Sequence, residues 1–433
     1  MIVHSAEEYR SWLSKEARIP AGFRFFTSRL SFAPVERPEV SEVTMSLAMI
    51  LSLPEDTVAV GVTTSNRFCG APVLLARERL RGGRLRCVVV NNKVANVGAP
   101  QGLETAKKIA AAGAEAAGRM GVTISDDHAL SVSTGVIGWS IPRASVLNAL
   151  AGIEHGEVEP LAVAEAIMTT DRYPKMAWRE HASGARCLAV AKGAGMVEPN
   201  LATMLGFVLL DVTANREQLD RVFRRVVERT FNAISVDGDQ STSDTVLCLA
   251  NGASGVTLSD AELEGMLEPV CARLAEEIVR NGEGTGHVVQ VTIGGLSDAV
   301  LARRIAKHVV NSPLVKTAVY GNDPNVGRLI AATGHALAQG DAPADVEIEK
   351  ARLSVFGTTV FENGSFRLDG AVERALAEQL RTAQQDEKLV GYPQNRPKVP
   401  IRIDFTGRSG TDVTVLGSDL SYEYIRENAD YRT

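Results

Sequence analysis

Apolar residues along this chain switch repeatedly between short strand-length runs and stretches with a helical period, and that switching predicts strands alternating with covering helices. A short amphipathic helix is expected over residues 7–17, followed by a stretch punctuated by Pro34, Pro38 and Pro54. The β-rich runs 58–64 and 87–91 predict short strands, and the Ala-rich segment 103–117, interspersed with Lys and Glu, predicts a surface-packed helix. The continuous apolar run 205–210 reads as a buried strand. A helix follows it, with Asn215 and Gln218 as a capping pair and Leu219, Val222, Phe223, Val226 and Val227 on one face.

A second helical stretch begins at Asp260 and carries Leu263, Met266, Leu267, Val270, Leu274 and Ile278, with Pro269 expected to kink or divide it. Towards the end, strands are expected over 346–356, 401–405 and 413–416, with a helix over 371–380. The polar segment 406–410 reads as a hairpin loop, and the proline-rich piece 391–400 as an exposed loop. No internal repeat is visible, and no G-x-G-x-x-G follows a strand, so a dinucleotide fold has no specific support. The fold class expected is α/β, with mixed sheets covered by helices.

The 433 residues suffice for two or three layered domains or one large one. At 45% hydrophobic and 23% charged, the composition is that of a soluble globular protein. A formal charge of −6 with both signs interspersed leaves no basic face for a phosphate backbone, which argues against nucleic acid as a partner. Cys69, Cys87, Cys187, Cys248 and Cys271 stand singly, without the spacing of a zinc site, and read as reduced core residues of a cytosolic protein; no metal and no cofactor are expected. The opening residues His4, Glu7, Glu8 and Arg10 do not resemble a secretory signal, and the most apolar window, 45–53, is too short to span a bilayer. A cytoplasmic location away from membranes is the expectation.

Candidate chemistry centres on Thr203, in the run Lys192-Gly-Ala-Gly-Met-Val-Glu-Pro-Asn-Leu-Ala-Thr203-Met-Leu205. A hydroxyl after Ala202, approached through Gly193, Gly195 and Pro199, is placed to attack the preceding carbonyl and so to expose its own amino terminus. Taken alone, the segment reads equally well as a loop leading into a strand. Ser133-Thr134-Gly-Val-Ile-Gly138 has the composition of an oxyanion hole, or of a strand-to-helix turn. Met168-Thr169-Thr170-Asp171 can orient a polar substrate or cap a turn. Asn281-Gly-Glu283-Gly-Thr-Gly286 can present an acid to a substrate ammonium or simply terminate a helix. Asn311-Ser-Pro-Leu-Val-Lys316 and Gly321-Asn-Asp-Pro-Asn325 read as structural loops around a site.

Together these segments resemble one family, the ornithine acetyltransferases, also called glutamate N-acetyltransferases, of arginine biosynthesis. The likeness runs from Thr63 to Thr433. It is carried by Thr63-Thr64, Asn66-Arg67-Phe68, Ala71-Pro72-Val73, Ser133 to Gly138, Ala166 to Asp171, Lys192 to Leu205, Ser241-Thr-Ser-Asp244, Asn311 to Thr317 and Asn428 to Thr433. The resemblance implies self-cleavage between Ala202 and Thr203 into an α chain, 1–202, and a β chain, 203–433, that stay associated as an α2β2 heterotetramer. It implies Thr203 as the acyl-carrying nucleophile and Thr134 with Gly135 as the oxyanion hole. Thr169, Thr170, Lys192, Glu283, Asn428 and Thr433, together with Thr203, match its substrate-binding positions. The implied reaction moves acetyl from N2-acetylornithine to glutamate through an acyl-threonine.

Elementary chemistry agrees. A free α-amino group, with a reference pKa of roughly 7.7–8.0, can take the hydroxyl proton at neutral pH, whereas a peptide nitrogen cannot. Lys192 offers a positive charge for an α-carboxylate, and Glu283 the opposite charge for a side-chain ammonium. The chain departs from the family pattern before Val58, where a glycine-rich opening is missing. It departs again at Asn91-Asn-Lys-Val-Ala-Asn96 in place of Asn-Ser-Gly-Asn-Ala-Asn, and at Val326 in place of tryptophan. Glu198 puts a charge inside the cleavage motif. Three alternatives therefore stand beside the main reading: a paralogue acylating another amino acid in specialised metabolism, an N-acyl amino acid hydrolase, and a binding protein that has lost processing.

Overall fold

A computed structural model describes residues 3–198, 204–339, 343, 346–405 and 409–429. Two five-stranded sheets lie at its centre. The first orders Ala129–Ser133, Cys87–Asn91, Val43–Ser52, Phe23–Phe32 and Glu157–Val158. The second orders Val58–Thr63, Thr245–Ala250, Leu205–Leu210, Arg186–Lys192 and Lys175–Glu180. Side-chain alternation in the second sheet decides what each face touches. Leu188, Val190, Leu205, Phe207, Leu209, Leu247 and Leu249 share one apolar core with the first sheet. Their neighbours Cys187, Ala189, Val208, Leu210, Val246 and Cys248 belong to a second core with the helices Arg216–Arg229 and Asp260–Arg280. On the far side of the first sheet lies the helix Gly102–Arg119, whose Gly113 sits against Val89 and Cys87. Helix, sheet, sheet and helix thus stack in that order.

A third core forms around a seven-stranded mixed sheet with the helices Ala299–Asn311, Pro313–Tyr320, Val326–Ala338 and Gly370–Ala383. Buried Lys316 ties this layer to the others. Its Nζ donates to the carbonyls of Val236 at 2.7 Å and Ser418 at 2.6 Å, and burial lowers its pKa to about 8. No helix among the described residues is long and apolar enough to cross a membrane.

Most expected elements are present. The strand Leu205–Leu210 and the helix Arg216–Arg229 form as read, with the Asn215 side chain accepting from the Gln218 N–H at 2.9 Å. Cys87, Cys187, Cys248 and Cys271 are free and buried, and Cys69 is free and partly exposed. Burial pushes the Cys87 thiol up to about 12. Four expectations need correction. The proline-punctuated opening contains a long antiparallel pair, Phe23–Phe32 with Val43–Ser52, in which Phe25 faces Ile50; Pro34 and Pro38 mark only the connection between them. Pro269 neither divides nor ends its helix, which runs unbroken from Asp260 to Arg280 behind a complete capping box at Ser259 and Glu262. Val399–Phe405 and Val413–Ser418 are not hairpin partners, because Val288–Gly294 lies between them, parallel to the first and antiparallel to the second; residues 406–408 lie outside the described residues. The motif Asn311 to Lys316 is helical except at Ser312, with Pro313 opening a new helix where its missing N–H costs nothing.

Candidate active site

The ends of several elements converge on a cavity of about 260 Å³. Thr134 and Gly135, which follow the strand Ala129–Ser133, form one wall. Lys192 comes from the end of Arg186–Lys192, Thr169 and Thr170 follow the helix Pro160–Ala166, Glu283 lies just past the helix Asp260–Arg280, and Asn428 belongs to the helix Tyr422–Ala429. Seven of the site residues expected from sequence thus line one cavity. Ala202, Thr203 and Thr433 lie outside the described residues. Lys192 is paired across the sheet with Leu205, and the carbonyl of Met204 accepts from the Thr245 N–H at 3.0 Å, so the chain that follows Thr203 enters the same sheet at the same end.

The wall at Thr134 and Gly135 is set by backbone pairing. The Thr134 N–H donates to the Asn91 carbonyl at 3.0 Å, and the Val136 N–H to the Lys93 carbonyl at 2.9 Å. Gly135 between them has φ +130°, and a Cβ there would stand 2.1 Å from the carbonyl carbon of Lys93. Glycine is therefore required by a close approach as well as by conformation. Among the described residues, no partner is found for the Gly135 N–H or the Thr134 hydroxyl. Both donors remain available to a developing oxyanion, whereas the Thr134 amide is already engaged.

Opposite charges occupy the cavity. Glu283 is buried, accepting from the Thr170 hydroxyl at 2.6 Å and the Asn428 amide at 2.9 Å, and its carboxylate packs on Gly195 where a Cβ would leave 2.2 Å. Its own N–H donates to the Ala194 carbonyl, which fixes the glycine-rich loop against the segment leading to the cleavage motif. The loop follows the end of the helix Asp260–Arg280 and places the Glu283 carboxylate in the wall of the cavity. The half-buried Lys192 reaches Thr169 Oγ1 at 3.4 Å; burial lowers its pKa, while Asp171, Asp244 and Glu283 oppose that shift.

Sequence reasoning missed the support beneath these groups. Asp171 accepts from Lys175 Nζ at 2.5 Å and from the Gly193 N–H at 2.9 Å, and Lys175 also donates to Asn281 at 2.6 Å. Lys175 and Asp171 have no exposed side-chain surface, so the pair is fully desolvated and its geometry is strict. A lone lysine in an apolar strand gives no sequence signal of this. Ser241, Thr242 and Ser243 also line the cavity, and Asp244 lies directly behind them. Ser241 hydrogen-bonds the Asp244 carboxyl, Oδ2 has no partner among the described residues, and burial raises its pKa well above the usual range.

The model of the ArgJ family matches residues 38–433. The chain belongs to the ArgJ family. It is 39% identical to the arginine biosynthesis bifunctional protein ArgJ of Geobacter sulfurreducens, covering 95% of this chain and 99% of that one. It is 37% identical to glutamate N-acetyltransferase Oat2 of Streptomyces clavuligerus, covering 96% and 98%. It is 36% identical to the glutamate N-acetyltransferase of Methanocaldococcus jannaschii, covering 89% and 94%. As a member of the ArgJ family, the protein is an N-acetyltransferase of arginine biosynthesis. The resemblance drawn from scattered motifs and the family match along nearly the whole chain agree.

Proposed function

We propose that this N-acetyltransferase cuts itself between Ala202 and Thr203 and then moves acetyl from N2-acetylornithine to glutamate through an ester on Thr203. In processing, the Thr203 hydroxyl attacks the Ala202 carbonyl, the peptide becomes an ester, and water releases the 1–202 segment. The freed α-amine serves as general base. In transfer, the Thr203 oxygen attacks the acetyl carbonyl while the Thr134 hydroxyl and the Gly135 N–H hold the oxyanion. The amide C–N bond breaks, and the leaving amine of ornithine takes the proton from the Thr203 amine. Glutamate then attacks the ester through its own amine and leaves as N-acetylglutamate. One amide replaces another, so no energy-rich acyl donor is required.

The observation that carries this reading is that Lys192 and Glu283 line one cavity together with the Thr134 hydroxyl and the Gly135 N–H, for which no partner is found among the described residues. An α-carboxylate at Lys192 and a side-chain ammonium at Glu283 match an ornithine-like donor; Thr169, Thr170, Asn428 and Thr433 complete its contacts. An α2β2 assembly in the cytoplasm belongs to the same reading. Incubating the purified protein with N-acetylornithine, with and without glutamate, tests it. Mass spectrometry should find an acetyl group on the fragment beginning at Thr203, discharged by glutamate. Acetate release that ignores glutamate would instead assign a hydrolase.

A further inference from the structure

Glu198 is the last described residue before the cleavage motif's Ala202 and Thr203, and it does not line the cavity. Its carboxylate points into another layer of the molecule. Oε2 accepts from the Asn311 amide at 2.9 Å, and Oε1 lies 3.3 Å from Lys307 Nζ. Lys307 and Asn311 sit one turn apart on the helix Ala299–Asn311, which packs on the seven-stranded sheet. Asn311 is itself oriented, since its Oδ1 accepts from the Ser235 hydroxyl at 2.6 Å. The side chains of Glu198 and Lys307 are only 19% and 15% exposed, so solvent screens this contact less than an ordinary surface pair.

The main chain beside Glu198 is held as well. The N–H groups of Met196 and Val197 donate to Asp237 at 2.6 and 2.8 Å, and the Val197 carbonyl accepts from the Val236 N–H at 2.7 Å. On the far side of the scissile bond, Met204 is buried and anchored to Thr245. The connection carrying the bond therefore leaves one fixed point and arrives at another. Intramolecular attack is fast only when the reacting atoms are held in near-attack geometry, and fixing both ends of a short connection removes the conformations that miss it.

We propose that Glu198, Lys307 and Asn311 form a processing clamp, through which the helix Ala299–Asn311 positions the cleavage segment for self-cleavage. These are positioning residues, with no part in acetyl transfer once the chain is cut. The inference rests on the reading that the chain cuts itself.

The test follows cleavage of the full-length chain after cell-free synthesis, by denaturing mass spectrometry. Glu198→Ala, Lys307→Met and Asn311→Ala should each slow the appearance of the Thr203 fragment by on the order of tenfold, as expected for loss of one charge-assisted contact. The fully processed variants should keep the kcat and KM of the native enzyme. Glu198→Gln, which retains an acceptor for Asn311, should fall between. The exchange Glu198→Lys with Lys307→Glu, which restores the ion pair but not the acceptor for Asn311, should cleave several-fold faster than Glu198→Lys alone. Wild-type chain that cuts normally alongside Glu198→Ala chain that cuts equally fast overturns the clamp. So does slow cleavage that tracks a lowered melting temperature and is not recovered by the exchange. Wild-type chain that never cuts overturns the self-cleavage reading itself, and the two failures are thereby distinct.

Discussion

Replacing Gly135 by alanine separates the two reasons for glycine at the proposed oxyanion wall. The new Cβ would stand 2.1 Å from the carbonyl carbon of Lys93, 2.3 Å from its oxygen and 2.6 Å from the nitrogen of Val94. All three are backbone atoms, so no side-chain rotation relieves the contact. Relief requires parting the 134–138 segment from 93–97. Those segments are joined by Val136 N–H to Lys93 O, Ala95 N–H to Val136 O and Gly138 N–H to Val97 O, at 2.9 to 3.0 Å. Losing two or three such bonds costs about 1 kcal/mol each. The positive φ adds about 1–2 kcal/mol for any residue with a Cβ. The sum is about 3–5 kcal/mol.

Gly138 supplies the matched control. Its φ is +86°, and nothing lies within 4 Å of the Cβ position. Gly138→Ala therefore carries the conformational cost alone, about 1–2 kcal/mol. Urea unfolding of both variants in a Thr203→Ala background, where a single chain keeps the comparison clean, should place Gly135→Ala about 2–3 kcal/mol below Gly138→Ala. With Thr203 intact, Gly135→Ala should lose acetyl transfer by about 10²–10³-fold, the usual effect of removing one oxyanion donor. Equal stabilities for the two variants would refute the close-approach argument, and near-native transfer by Gly135→Ala would refute the assignment of its amide.

Three further outcomes are expected. Thr203→Ala should give one inactive chain of 46.3 kDa under denaturing conditions; two fragments in that variant would remove Thr203 from the cleavage step. Glu283→Gln keeps the contacts to Thr170 and Asn428 but loses the charge, so KM for a cationic donor should rise by on the order of tenfold while a donor with a neutral side chain is unaffected; equal KM changes for both donors would refute an ammonium contact. Asp244 has its folded pKa raised by burial, so its contribution to stability is full below the unfolded value near pH 4 and is lost as pH rises through the folded value. Asp244→Asn should therefore gain stability relative to wild type as pH rises above about 4, and a difference that stays flat with pH would show that the carboxyl does not titrate as its surroundings require.

What the sequence made legible follows from how local each signal is. The helix Arg216–Arg229 carries its cap and its apolar face within its own residues, and it forms as written. The pair Phe23–Phe32 and Val43–Ser52 escaped because prolines at the connection dominate the local pattern, while the strands themselves are justified only by a sheet that includes Cys87–Asn91. The intervening strand Val288–Gly294 could not be seen from residues 406–410, since a loop's composition does not tell whether its flanking strands are neighbours. At the site, Thr134, Gly135, Lys192 and Glu283 lie in motifs whose glycine and hydroxyl content sets them apart from core. Lys175 and Asp171 act through contacts with each other and with Asn281, and those exist only after folding.

The second sheet also explains how the chain could be severed in its middle without coming apart. Arg186–Lys192 and Leu205–Leu210 are antiparallel neighbours, paired from Cys187 with Leu210 to Lys192 with Leu205. A cut between Ala202 and Thr203 falls in the connection between them, so every rung of that ladder survives. Leu205–Leu210 is paired on its other side with Thr245–Ala250, which in turn pairs with Val58–Thr63. A β segment of residues 203–433 would thus contribute two of the three interior strands of a sheet whose other three strands belong to 1–202, and both apolar cores touching that sheet contain residues from each. The cavity is divided in the same way, with Thr134, Gly135 and Lys192 before the bond and Glu283 and Asn428 after it. Separating the segments would expose two cores at once. The connection thus lies outside the paired strands, so breaking the chain there leaves the sheet around it intact.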